Sequence, residues 1–185
     1  MDNIDGQNAE GREVKEVKTF SVPFPLEEIK YNSSISIDTF AKPSKEQIKK
    51  QALQFHSQGN ILEASKYYQY FISLGFKDYR VFLNFGRILK AFSKFDESLD
   101  FLEKSIRLNP YSAFPHMYIG EILLIKGDID NAEKAFLKSL EIDPSLTILY
   151  INLGKIFKLK GRIEESEALY STAIKMATRA ELQFI

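Results

Sequence analysis

The chain has 185 residues, enough for one domain with a hydrophobic core or for a short array of repeats plus a tail, and 44% of them are hydrophobic, more than a disordered chain carries. Lys and Arg number 25, and so do Asp and Glu, so no net field favours nucleic acid or an anionic membrane, and the choice of partner must rest on a local surface. With no cysteine, disulfides, thiolate metal sites and cysteine nucleophiles are excluded.

Residues 1–43 lack the periodicity that the rest of the chain displays. The opening MDNIDGQNAEGREVKEVK places acidic residues where a secretory signal needs positive charge and has no apolar segment, so it does not read as a signal. Nor does any apolar run approach the roughly 20 residues that span a bilayer. The expected location is the cytoplasm. Gly6 to Glu13 imitates a phosphate-binding loop in outline, but Arg12 and Glu13 stand where Lys and a hydroxyl are needed. From Thr19 to Leu26 apolar side chains alternate with prolines. These features predict a mostly disordered or extended tail, with Phe20, Val22, Phe24 and Leu26 as the group able to dock on the first repeat or in the groove.

From residue 44 onward the spacing predicts helices over 44–57, 61–74, 78–91, 95–108, 113–126, 129–142, 147–160 and 163–181, and no strand. The signal is a fixed interval between small residues. Gly86, Gly120 and Gly154 are 34 apart, with Ala52 the same distance earlier; Ala64, Ser98, Ala132 and Ser166 keep that interval, and Pro110 and Pro144 close two of the units. Each unit is thus a helix A, a turn and a helix B, and the small residues let the paired backbones approach while larger apolar groups at i, i+3, i+4 and i+7 fill the seam. Gly59, Gly127 and Gly161 fall in the turns, where positive φ is needed, and Asn60 and Asp128 come next as N-caps. Unit two has Ser93 instead of a turn glycine, which predicts a strained turn. The last helix meets no glycine or proline after Gly161, so it is expected to run towards Leu182, act as its own cap, and keep an apolar outer surface available for self-association.

The interval and the residues at these places resemble the tetratricopeptide (TPR) repeat. Phe82, Phe85, Gly86, Leu89, Ser98, Leu102 and Pro110 carry the match in unit two, His116, Ile119, Gly120, Leu123, Ala132, Phe136 and Pro144 in unit three, and Tyr150, Leu153, Gly154, Phe157, Ser166, Tyr170 and Ala173 in unit four. Unit one, with Ile48, Gln51, Ala52, Phe55, Gly59, Ala64, Tyr68 and Phe71, is the poorest. The resemblance implies an all-α, right-handed superhelix of about four repeats, 45–78, 79–112, 113–146 and 147–180, within a domain spanning 44–185. It also implies a concave face lined by the A helices that binds proteins or peptides.

Carried over position by position, the family's groove residues are Lys49 and Leu53 in unit one, then Arg80, Leu83, Asn84, Arg87 and Lys90 in unit two. Unit three supplies Phe114, Met117, Tyr118, Glu121, Leu124 and Ile125, and unit four Ile148, Ile151, Asn152, Lys155 and Lys158. The resulting groove is expected to have an apolar centre between basic flanks. The carboxylate clamp of chaperone-binding members is not matched, because Leu53, Phe114 and Tyr118 occupy clamp positions. The tail also resembles lead-ins of bacterial TPR proteins that carry sulfotransferase-like domains.

No catalytic constellation emerges from the residues. His56 and His116 are far apart in sequence and without metal-ligand spacing, so no metal or cofactor is expected, and His116 reads as a packing residue. Adjacent carboxylates such as Glu164 and Glu165 diverge by about 100° on a helix and read as solvated surface. The expectation is a non-catalytic scaffold for a protein or peptide ligand; the alternative is a substrate-recruiting segment working with a separate or lost transferase. Nucleic acid is disfavoured by the charge balance.

Overall fold

The computed structural model describes residues 43–182, with side chains through 179; the expectations for residues 1–42, including docking by Phe20, Val22, Phe24 and Leu26, lie outside them. The described residues form α1 (Lys45–Ser57), α2 (Ile61–Ser73), α3 (Tyr79–Ala91), α4 (Phe95–Leu108), α5 (Ala113–Ile125), α6 (Ile129–Ile142), α7 (Thr147–Leu159) and α8 (Ile163–Leu182), with no strand among them. Every expected helix end falls within one residue of the observed one. The helices pack as antiparallel pairs, α1 with α2, α3 with α4, α5 with α6 and α7 with α8, and each B helix then meets the next A helix.

The turns explain why the ends were legible. After α1 the Asn60 N–H donates to the Phe55 carbonyl at 2.9 Å and the Gly59 N–H to His56 at 3.0 Å, the paired bonds of a Schellman cap that requires a left-handed residue. The same two bonds close α3, α5 and α7. Glycine supplies the positive φ at Gly59, Gly127 and Gly161, and Ser93 adopts φ 58° in the same role. Asp128 caps α6 by accepting from the Asn131 N–H at 3.3 Å, whereas Asn60 makes no side-chain cap. Ahead of the two prolines, Asn109 and Asp143 are extended, and each side chain accepts from the amide two residues on, ending α4 and α6.

Within each pair the small residues set the distance. A Cβ placed on Gly120 would lie 2.7 Å from the Phe136 ring, and one on Gly154 would lie 2.7 Å from Tyr170, so nothing larger than hydrogen fits without movement. Ala64, Ser98 and Ala132 are fully buried opposite, and Ser166 is nearly so. The serines do more than leave room: Ser98 Oγ donates to the Gly86 carbonyl at 2.7 Å and Ser166 Oγ to Gly154 at 2.8 Å. Ser105 and Ser139 on the B helices likewise donate to the Tyr79 and Ala113 carbonyls at the start of α3 and α5. Between units, Lys126 reaches Asp96 at 2.8 Å and Lys160 reaches Asp130 at 2.6 Å, a turn-to-helix ion pair repeated at the 34-residue interval.

Candidate peptide-binding groove

The expected groove residues lie on α1, α3, α5 and α7, and the structure sorts them into three groups. The first is engaged within the array. Lys49 Nζ lies 3.1 Å from Asp78 Oδ2 and within ion-pair distance of Glu46, while Asp78 also caps α3 by accepting from the Arg80 N–H at 2.9 Å. The hydrogen bond to Glu46, together with Asp78, raises the Lys49 pKa above its ordinary value. Burial alone would raise Asp78, but the bonds from Lys49 and the backbone amides of Arg80 and Val81 outweigh it and hold the carboxyl below the ordinary range. Lys90 pairs with Glu121 of the next unit and stands 4.9 Å over the Tyr118 ring.

Arg87 belongs to the same group through a relay that the sequence did not disclose. Its guanidinium meets His56 Nε2, and His56 Nδ1 lies 3.0 Å from the Tyr68 hydroxyl, which in turn bonds the Asn84 side chain. A neutral His56 fits these contacts: Nε2 accepts from Arg87, and Nδ1–H donates to the Tyr68 oxygen, which also accepts from the Asn84 amide. Burial, and secondarily the Arg87 charge, depress the His56 pKa, which agrees with a neutral ring. Burial also pushes Tyr68 up to about 12. In the basic flank expected in units one and two, Lys49 and Lys90 are therefore paired with internal carboxylates, and the Arg87 guanidinium is occupied by a neutral imidazole.

The second group is core. Met117 is 6% exposed and packs with Phe136, Leu149 and Leu153, Tyr118 and Leu124 are partly buried against the same cluster, and Leu53 is partly buried against the cluster of Ile48, Ala52 and Tyr68. Asn152 is equally buried, and its Nδ2 has no hydrogen-bond partner among the described residues. Repeat equivalence supplies the reason. Asn84 finds Tyr68, and the residues 68 further along are Asn152 and Phe136, so the ring is kept and the hydroxyl is missing.

The third group faces solvent: Phe114 at 43%, Ile148 at 41%, Ile125 at 62%, with Lys155 and Lys158 at least partly exposed and without ion pairs among the described residues. Leu83 and Ile151 are half-buried. Arg80 is exposed too, only 4.0 Å from Asp78 Oδ1 and stacked near Tyr79. Four expected residues, Arg80, Leu83, Asn84 and Phe114, are brought together in a depression of about 540 Å³ between units two and three. Its remaining wall comes from Tyr79 and Ala113 at the starts of α3 and α5 and from Asn109, Tyr111, Ser112, Ile142 and Asp143 in and beside the connections between units. Tyr111, 85% exposed just after Pro110, was the available signal: a large aromatic at a turn with nothing to pack on.

A tetratricopeptide repeat family model matches residues 79–112, 118–146 and 148–178. The uncharacterised protein YgeG of Escherichia coli (strain K12) is 26% identical over 86 residues, 46% of this chain and 53% of that protein, so the chain spans about half the length of this curated relative. Among solved structures, MamA superposes with TM-score 0.66 at 20% identity, over 74% of this chain and 80% of its own. YrrB, described as a TPR protein with an unusual peptide-binding site, superposes with TM-score 0.62 at 19% identity, over 72% and 69%. At these identities the structural likeness establishes the fold.

Proposed function

The chain belongs to the tetratricopeptide repeat family, and from that premise we propose that it is a non-catalytic scaffold that holds an extended protein or peptide segment against the A-helix face. The observation that carries the reading is the depression framed by Arg80, Leu83, Asn84, Tyr111 and Phe114. Phe114 and Tyr111 leave aromatic surface in water beside hydrogen-bonding and cationic groups, a combination that packing does not require and that fits one apolar side chain of a ligand with its neighbouring backbone. The peptide-binding site named for YrrB, which shares the fold, supports the same reading.

Because Lys49, Arg87 and Lys90 already have partners, the cations left to meet a ligand are Arg80 at the pocket and Lys155 and Lys158 on α7. A ligand with an apolar anchor and acidic residues on the α7 side fits this distribution. Affinity resides mainly in the anchor, since truncating a buried aromatic contact costs about 2 kcal/mol or more, roughly thirtyfold, whereas exposed charges chiefly set the approach rate.

The test begins with a random peptide library displayed on phage and selected against the chain. The selected peptide is then titrated against Phe114→Ala, Tyr111→Ala, Arg87→Ala and the Lys155→Ala/Lys158→Ala pair at two salt concentrations. Phe114→Ala and Tyr111→Ala should weaken binding more than Arg87→Ala, with the lysine pair showing a smaller, salt-dependent loss. If the lysine pair or Arg87→Ala dominated with steep salt dependence, binding would be chiefly electrostatic and the apolar-anchor reading would fail.

A further inference from the structure

The two ends of the described array are built differently. Val81 and Ile88 of α3 are buried against Tyr68 and Phe71 of α2, and Leu149 and Ile156 of α7 are buried against Phe136 of α6. In α1 the equivalent places, 34 residues earlier than Val81, Phe85 and Ile88, hold Gln47, Gln51 and Gln54, all exposed. The first helix is therefore finished with amides that prefer water to an apolar neighbour.

The last helix has no such finish. Ile72, Ile106 and Leu140 of the earlier B helices are partly buried where the next A helix covers them, but their equivalent Ile174 is 66% exposed. Ile163, equivalent to the partly buried Ile61, Phe95 and Ile129, is 45% exposed. Ile163 and Ile174 are eleven residues apart, about three turns, and so share one exposed face of α8 with Ala177.

Charge on α8 selects what covers it. Glu164 and Glu167 lie near its start and Lys175 in its second half, all exposed and without an ion pair among the described residues. Glu164 and Lys175 are eleven residues apart, about three turns, so they share one flank of that face. We propose that α8 docks antiparallel on α8 of a second copy of this chain, about a twofold axis near Ala168 and Leu169. In that arrangement Ile163 of each copy lies opposite Ile174 of the other, and Glu164 comes within a turn of the other copy's Lys175. A parallel pair would set Glu against Glu, and a head-to-tail stack would lay the apolar stripe on the glutamines of α1, so the association stops at the dimer.

Sedimentation velocity of the 185-residue chain over low to high micromolar concentrations tests this. The parent should pass from monomer to dimer and no further, with weaker association at high salt. Ile174→Glu should remain monomeric, Lys175→Glu should raise the dimer midpoint about tenfold or more, and the combined swap Glu164→Lys/Glu167→Lys/Lys175→Glu should recover it. Circular dichroism melts check that each variant is folded; the three charged positions and Ile174 lie outside the α7–α8 seam, so melting should change little. A parent monomeric at every concentration, growth beyond dimers, or unchanged dimerisation of both single variants overturns the proposal. Because none of these residues lines the groove, the outcome is independent of peptide binding.

Discussion

Gly120→Ala offers a sharp test of the packing argument, because two effects of known sign oppose each other. In a helix interior alanine is favoured over glycine by about 0.8–1.0 kcal/mol, so on propensity alone the variant should be more stable. Against this, the new Cβ would lie 2.7 Å from Cδ1 and Cε1 of Phe136, whose ring is fully buried and flanked by Ala132 and Met117. Relieving that clash requires α5 and α6 to separate, at a cost of about 1–3 kcal/mol. The net expectation is a loss of up to about 2 kcal/mol. Two equivalent variants calibrate it. Gly86→Ala meets the Leu102 side chain at 3.0 Å, a flexible neighbour, and Gly154→Ala meets Tyr170, which is only partly buried on α8. Urea unfolding followed by circular dichroism should therefore rank Gly120→Ala as the most damaging. Midpoints for Gly120→Ala at or above the parent would show that propensity outweighs packing and would refute the close-contact role of the glycine series.

Other positions carry expectations of their own. His56 and His116 both have depressed pKa values, each chiefly through burial, so the folded state disfavours their protonated forms. That contribution is fully present above the unfolded value near 6.5 and is lost as pH falls below it; the melting temperature should drop between about pH 7.5 and 5.5, and His56→Gln should flatten part of the slope. Ser93→Gly should raise stability by roughly 0.5–1 kcal/mol in thermal melts by relieving the left-handed φ of 58°, and a loss would show that the serine is not strained. In a double-mutant cycle, Phe136→Tyr should be tolerated better by about 1 kcal/mol beside Asn152 than in an Asn152→Leu background; zero coupling would deny that the hydroxyl answers the unpartnered amide.

The eight helices and their turns were legible in the sequence because their causes are local. A Schellman turn asks for a left-handed residue at one place, a proline restrains its predecessor, and a close helix pair leaves room for hydrogen and little else, so Gly59, Pro110 and Gly120 each announce their position. Even the exception at Ser93 was readable, since the chain must turn there whether or not glycine is present. What only the tertiary structure decided is where long polar side chains end. Arg87 and Lys49 occupy groove positions by register, yet their reach lets them find His56 and Asp78 on neighbouring elements. Met117 shares that register and is drawn into the core, while Tyr111, outside it, lines the pocket. Periodicity assigns a residue to a side of its helix; the angle between successive units, set by contacts between residues distant in sequence such as Lys90 with Glu121, decides what that side meets.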